Sequence, residues 1–436
     1  MAAQFMMSGR RLGRRAFLRR TALAAGPLIL PSGVLGIQGR AGASERVVTG
    51  HLGLGYRGRI LLERLGESAA AICDVDTVQL ERAAPLAGVG ARQYRDYREV
   101  LERTDIDAVV IATPDHWHGL QVVHACEAGK DVYVETPACA TLDEARRMLE
   151  AARRFDCIVQ VGAPGPLTRA GRAARAAVQA GHVGKVTQVT GWGQRNPEGG
   201  DLSRNGPPPA ELDWDTWLGP ARWVAYNPDR VHGNFRWLLD FGGGQICHQA
   251  DHCFAMALAA GMRVADPGKG TGLEAPATVH VEAQGAVPTA GLWDCPVDLR
   301  VEYRLEPGGP SVAWRQGPPR RDAAFGVEMS GSGGSVFVST CDERAATEEK
   351  VLLAAGTAAS EMQEDVLENW LRCIATRETP EMDLERGTFA ATLCILGNLA
   401  YRLGRPLDWD LRAQRFVNDS LADRLIARPA RGQYHL

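Results

Sequence analysis

Residues 46–65 read RVVTGHLGLGYRGRILLERL, and the fold turns on this stretch. It reads as strand, glycine turn, helix. The turn, Gly53-Leu54-Gly55-Tyr56-Arg57-Gly58, is a GxGxxG sequence. Alone that pattern is weak. Between a strand and a helix it has the context that dinucleotide binding requires. The first glycine permits a tight turn and the second lets backbone approach a pyrophosphate. The third packs helix on strand, while the helix N-terminus faces the phosphates. Tyr56 and Arg57 count with the glycines as cofactor contacts. A second strand, AAAICDVD (69–76), ends in Asp74, 21 residues after Gly53. A carboxylate there can accept hydrogen bonds from both adenosine ribose hydroxyls and repel a 2′-phosphate, which favours NAD over NADP.

Working outward, LERAAPLAGV (80–89) and YRDYREVLER (94–103) read as helices, DAVVIATP (107–114) as a buried strand and HGLQVVHACEAG (118–129) as a helix. DVYVETP (131–137) is a strand, LDEARRMLEAARRF (142–155) a helix and CIVQVGA (157–163) a strand. Strands alternating with helices imply a parallel sheet. A Rossmann domain is therefore expected over 44–165, and a second domain over 166–436.

The second domain has another rhythm. KVTQVTGWG (185–193) is a strand, and 194–237 form a long segment rich in Pro, Gly and Trp, expected over the cleft or at a subunit contact. After a helix near 246–260, strands are expected at 277–284, 298–306, 311–316 and 326–340, with GSGG (331–334) as a hairpin turn. In VEYRLE (301–306), Val301, Tyr303 and Leu305 alternate with charged residues, which fits a sheet with one solvated face. Helices near 361–376 and 387–404 close the chain. The fold class is α/β, a Rossmann domain followed by an α/β domain with a mostly antiparallel sheet.

The chain has 436 residues and a formal net charge of -3. Residues 1–43 hold seven arginines and no acid, so the remainder carries 42 basic against 52 acidic residues, or -10. An acidic body argues against nucleic acid and anionic membranes as partners. GRRAFLRR (13–20) carries twin arginines, Arg14 and Arg15, and a short apolar run broken by Pro27 and Pro31 follows. Ala41-Gly42-Ala43 offers a cleavage site. This reads as a twin-arginine signal over 1–43, with the translocase as partner, a periplasmic destination and no stable membrane insertion. The ten cysteines show no CxxC pair and no regular spacing, so neither a zinc ribbon nor a disulfide framework is expected.

Three stretches carry chemistry. ATPDHWH (112–118) ends a strand at the edge where an open α/β sheet binds ligands. Thr113 and Pro114 are expected along the nicotinamide ribose, and His116, Trp117 and His118 near the reacting ring. YVETPACA (133–140) brings Glu135 and Thr136 to the border of the nicotinamide. GGGQICHQADHC (242–253) gathers His248 and His252, four apart and so on one helical face. The same two histidines at that spacing suit a shared metal ion, but the favoured reading has no metal, with Cys247 and Cys253 as small core residues.

These stretches, with LDWDTWLGPARW (212–223), HGNFRWLLDFGGG (232–244) and TLCILGNLAYRLGRPLDWD (392–410), resemble the glucose–fructose oxidoreductase / inositol dehydrogenase (Gfo/Idh/MocA) family, in its twin-arginine-exported branch. The resemblance covers nearly the whole chain. It implies sugars or polyols as substrates, an active site at the cleft between the sheets, and homodimers or homotetramers. It also implies three catalytic side chains: a lysine from Glu-Lys-Pro, then an Asp and a His four apart after the GGG turn. Here Thr136 stands for the lysine and His248 for the Asp. Only His252 matches.

Hydride abstraction from an alcohol builds alkoxide character on oxygen. Losing one donor to that oxygen typically costs about a hundredfold to a thousandfold in rate. His252 remains suited as general base at neutral pH. His248, Arg236, Arg195 and His118 are candidates for the donor. Three readings follow: an oxidoreductase based on His252; an NAD-retaining, redox-neutral glycoside hydrolase, since family relatives of that kind also lack the lysine; and a non-catalytic dinucleotide- or sugar-binding protein.

Overall fold

The computed structural model describes residues 46–262, 277–318, 324–339, 365–429 and 431–436. The signal segment expected over 1–43 lies outside them. Six strands form the first sheet: β1 (Thr49–Leu52), β2 (Ala69–Cys73), β3 (Arg92–Tyr94), β4 (Ala108–Ile111), β5 (Asp131–Val134) and β6 (Val159–Val161). Their order is β3-β2-β1-β4-β5-β6, with every pair parallel. The order reverses direction between β1 and β4, and this switch point is where such sheets open a ligand crevice.

Five helices connect these strands: α1 (Tyr56–Leu65), α2 (Thr77–Ala83), α3 (Tyr97–Leu101), α4 (Asp115–Glu127) and α5 (Leu142–Phe155). Local sequence fixes their starts. Thr141 and Glu144 close a reciprocal capping box on α5, with acids in its first turn and Arg153 and Arg154 in its last. Such a cap is worth about 1 kcal/mol. Asp76 caps α2 by accepting from Val78 N–H, so this helix begins before the expected 80–89 and tightens into a 3₁₀ turn at Ala84–Leu86, where Pro85 stands. Residues 92–94, outside the expected strands, are an exposed edge strand, and the following helix starts at Tyr97 behind its Asp96 cap.

The second sheet has eight strands: β7 (Val186–Gly193), β8 (Thr278–Gly285), β9 (Leu299–Glu306), β10 (Ser311–Gln316), β11 (Gly326–Gly331), β12 (Gly334–Ser339), β13 (Leu407–Asp410) and β14 (Arg415–Phe416). Their order is β12-β11-β7-β10-β9-β8-β13-β14. Among its described strands only β7 and β10 pair in parallel. Strand β9 alternates buried and exposed residues along its whole length. Its buried face, with Val301 and Tyr303, meets a 20-residue helix, α10 (Leu384–Leu403), that packs across the sheet. Sequence reading left out the last two strands and helix α6 (Arg169–Gln179), an Ala-rich helix capped by Thr168. The other C-terminal helices are α7 (Trp214–Leu218), α8 (Asp251–Ala259), α9 (Val366–Thr376) and α11 (Ser420–Asp423).

The long segment 194–237 lies against the Rossmann domain. Asp213 N–H donates to Val75 O and Thr77 N–H to Glu211 O, so Leu212 and Asp76 form an isolated bridge. His232 Nε2 lies 3.0 Å from Asp76 Oδ2. Trp214, Trp217 and Phe235 pack with Phe241, just beyond the segment, in a buried cluster that gives it a core.

Candidate functional site

The glycine turn follows β1. Gly53 has φ +83, and a Cβ on it would lie 2.6 Å from Thr113 N. A Cβ on Gly58 would stand 1.9 Å from Gly53 O, so only glycine lets α1 sit this close to the turn. A Cβ on Gly55 would meet nothing within 4 Å, because it faces the open cleft. No side chain caps α1. Its first N–H groups therefore face that same space, a cradle matched to a pyrophosphate. Asp74 Oδ2 accepts Leu54 N–H at 2.7 Å and Oδ1 accepts Asp76 N–H at 3.0 Å. Burial pushes the Asp74 carboxyl up, although these two backbone donors pull it down. Each oxygen keeps a second lone pair for a ribose hydroxyl.

Thr113, Pro114, His118, Glu135 and Thr136 continue the same cleft toward the C-terminal domain. Thr113 Oγ1 donates to Gln121 at 2.7 Å. Glu135 forms an ion pair with Arg57 at 2.8 Å and accepts from Tyr133 OH at 3.3 Å. The Thr136–Pro137 peptide is cis.

The two histidines of ATPDHWH have different surroundings. His118 lines the cleft, but Nδ1 and Nε2 lie 2.8 and 2.9 Å from Pro137 O and Thr113 O. The ring ties the turn after β5 to the end of β4. Burial lowers its pKa despite the two carbonyls, which raise it. His116, expected near the reacting ring, does not line the cleft. It packs against Trp217 and Phe241, with Nε2 3.0 Å from Trp217 O. Helix α4 turns it inward, because consecutive helical residues face different sides. Burial brings its pKa down to about 3.

Gly243 and Gly244, at φ +74 and +78, make the turn that launches the histidine helix. Asn398 Nδ2 donates to Gly243 O and Gln245 N–H donates to Asn196 Oδ1, which fixes the helix entry. The helix opens with a π turn over Ile246–Ala250 and continues as α8. His248 and His252 line a second compartment that shares Tyr56, Arg57, Glu135, Thr136 and Arg236 with the dinucleotide cleft. His252 Nε2 lies 3.2 Å from Thr136 Oγ1. His248 Nε2 lies 3.2 Å from Asp115 Oδ2, although the ring is turned off the line of a well-formed hydrogen bond and neither atom has another partner among the described residues.

Among the proposed donors, His248 and Arg236 reach this compartment. The Arg236 guanidinium lies over the Phe235 ring and donates to Gly233 O at 3.2 Å. Arg195 is exposed and lies 3.8 Å from Asp298. Cys247 and Cys253 are buried, and none of the nine described cysteines is in a disulfide. Among the described residues no group of three or more His, Cys, Asp or Glu could hold a metal ion. No helix among them is long and apolar enough to cross a membrane.

Two domain models match the chain: the NAD-binding Rossmann fold of the oxidoreductase family over residues 48–163, and that family's C-terminal alpha/beta domain over 178–436. The chain belongs to the Gfo/Idh/MocA oxidoreductase family. The matched Rossmann domain is an NAD-binding one, and the glycine cradle and Asp74 lie within its span and line its cleft. Similar curated proteins include glycosyl hydrolase family 109 protein 1 of Shewanella sp. (strain ANA-3) and the alpha-N-acetylgalactosaminidase of Shewanella oneidensis. Each is 34% identical over 122 residues, which is 25% of this chain and 27% of theirs. The alignments thus span about a quarter of those relatives. Among solved structures, the WlbA dehydrogenase of Bordetella pertussis, in complex with NADH and UDP-GlcNAcA, has a TM-score of 0.60 at 18% identity, covering 83% of this chain and 98% of that one. Levoglucosan dehydrogenase with NADH and levoglucosan has a TM-score of 0.57 at 18% identity, covering 83% and 99%. At this identity the family shares its fold with them.

Asp115 and Gln245 are site residues that sequence reading passed over. Asp115 reads there as an ordinary acid in a first helical turn. Its place beside His248, on a helix of the other domain, depends on how the domains pack.

Proposed function

We propose that this protein is an NAD-dependent oxidoreductase acting on a sugar, polyol or glycoside, exported to the periplasm by the twin-arginine translocase and assembled as a homo-oligomer. The observation that carries this reading is the meeting of Thr136 and His252 across the wall shared by the dinucleotide and substrate compartments. The glycine cradle and the uncapped α1 fit the pyrophosphate, and Asp74 fits the ribose. Bound there, NAD would supply the hydride acceptor. His252 takes the proton from the substrate hydroxyl, and Thr136 orients that imidazole. Arg236 brings positive charge into both compartments. Arg57 and Glu135 pair at the border between them.

The curated relatives favour a second reading. Proteins named as family 109 glycosyl hydrolases match part of this chain. In a redox-neutral glycosidase the hydride returns to the sugar within each turnover, so NAD is conserved.

One experiment separates these readings. Protein lacking residues 1–43 is denatured to count bound dinucleotide. The intact protein is then mixed with sugars and glycosides while nicotinamide absorbance is followed. Net NADH formed in step with substrate supports the dehydrogenase. Release of an aglycone without net NADH supports the glycosidase. Uptake of NAD with neither change leaves a binding protein, and failure to take up NAD at all refutes the proposal.

A further inference from the structure

Asp115 opens α4 in the Rossmann domain, and His248 lies on the π turn of the C-terminal domain. Their side chains are 4% and 11% exposed, and Asp115 Oδ2 lies 3.2 Å from His248 Nε2. Neither atom has another hydrogen-bond partner among the described residues. Buried polar atoms are rarely left unpaired, so a small turn of the ring toward the carboxyl is the natural way to satisfy both. His248 also lines the substrate compartment. Since Nε2 is its buried nitrogen, Nδ1 is the atom left to face substrate.

We propose that the Asp115 carboxyl group fixes the His248 ring with Nδ1–H facing the substrate compartment, where it hydrogen-bonds the reacting oxygen in place of the family's lysine. This rests on the hydride-transfer reading above. The protonation states follow from burial. Burial pushes the Asp115 carboxyl well above its usual range and holds His248 well below its own. Arg236 and Arg428 pull Asp115 back down, as its helix N-terminus also should, while Asp251 pushes it up. Around His248, Arg236, His252 and His118 all disfavour an imidazolium. The pair is then a neutral acid donating O–H to Nε2 of a neutral ring, whose one hydrogen must be on Nδ1. During oxidation the hydroxyl proton goes to His252 and the hydride to the nicotinamide. His248 keeps its proton and donates a hydrogen bond to the oxygen as it becomes a carbonyl. A neutral imidazole can serve as such a donor when its surroundings prevent protonation. Asp115 is a positioning residue, acting only through His248.

The test reads the tautomer first, which needs no turnover. Protein labelled with ¹⁵N-histidine is measured by NMR, with His248→Gln identifying the signal. The expected result is Nδ1–H with an unprotonated Nε2. An Nε2–H tautomer overturns the proposal, because Asp115 would then be an ionised acceptor and His248 could not donate to substrate. Two variants supply the second readout. Asp115→Leu removes the lock and should slow single-turnover reduction of bound NAD about tenfold or more. Asp115→Asn can still present N–H to Nε2, so it should keep the Nδ1–H tautomer and recover most of that rate. An Asn variant as slow as the Leu variant refutes the neutral-acid role. Should a variant fail to fold, judged by circular dichroism, the wild-type tautomer still decides. If no sugar reduces NAD in wild type, the oxidoreductase reading falls while the tautomer result stands separately.

Discussion

Thr136 Oγ1 lies 3.2 Å from His252 Nε2, joining the turn after β5 to the helix after the GGG turn. A hydroxyl stands here where the family resemblance implies a lysine, and it contacts His252, the proposed base. Thr136→Val keeps the shape and removes the contact. A hydrogen bond of this kind is worth about 1 kcal/mol, so hydride transfer should slow about fivefold to tenfold. Thr136→Ser should retain the rate. Stopped-flow reduction of bound NAD checks both, and an unchanged rate for the Val variant removes Thr136 from the chemistry.

His252→Ala tests the base directly. General-base catalysis contributes about a hundredfold to ten-thousandfold, and NAD reduction should fall by that order. The dinucleotide count per chain should not change, because His252 lines the substrate compartment and not the dinucleotide cleft. Full activity in the variant would assign proton removal elsewhere, with His248 the next residue to replace.

The glycine cradle predicts a separation of stability from affinity. Gly58→Ala would place a Cβ 1.9 Å from Gly53 O, and only backbone movement can relieve that clash. The variant should lose about 3 kcal/mol or more of stability, read by chemical denaturation. Asp74→Ala removes an acceptor for the ribose at the cleft wall. Hydrogen bonds to charged groups contribute about 1.5–3 kcal/mol, so NAD affinity should fall about tenfold to a hundredfold by calorimetry, with weaker discrimination against NADP. Asp74 also anchors Leu54 and Asp76, so the variant's melting temperature should be compared alongside.

The parallel sheet was legible because its signals are local. GxGxxG lies between a strand and a helix, and 142–155 carries its own cap, acids first and arginines last. Strand β9 was legible from alternation alone. Residues 92–94 were not, since two exposed residues and the half-buried Tyr94 at an edge carry no burial pattern. Helix α6 was missed although its Thr168 cap and small residues are local features. The site divides in the same way. Sequence placed Gly53, Gly55 and Asp74 together because one loop and one strand end hold them. It could not pair Asp115 with His248, which are 133 positions apart and meet only through domain packing. His116 and His118 look equivalent in ATPDHWH, yet helix geometry turns His116 into the aromatic cluster and leaves His118 at the cleft.

That inward position gives His116 a measurable pH signature. Burial lowers its pKa to about 3 from an ordinary value of 6.5. A group whose folded value is depressed contributes stability that is present above the unfolded pKa and lost as pH falls toward the folded one. Between pH 6.5 and about 3 the unfolded chain binds the extra proton, and His116 should cost the fold about 1.4 kcal/mol for each pH unit. Asp115 and Asp251 act with the opposite sign, because burial raises both carboxyls and their contribution falls as pH rises. Wild-type stability alone would mix these effects, so the comparison must be made against His116→Asn, which can still donate to Trp217 O. Across urea titrations from pH 7 to pH 4.5, the stability difference between wild type and variant should shift steadily against wild type as pH falls. A difference independent of pH would mean that His116 takes up its proton in the fold at the same pH as in the unfolded chain, with the carbonyl of Trp217 offsetting burial.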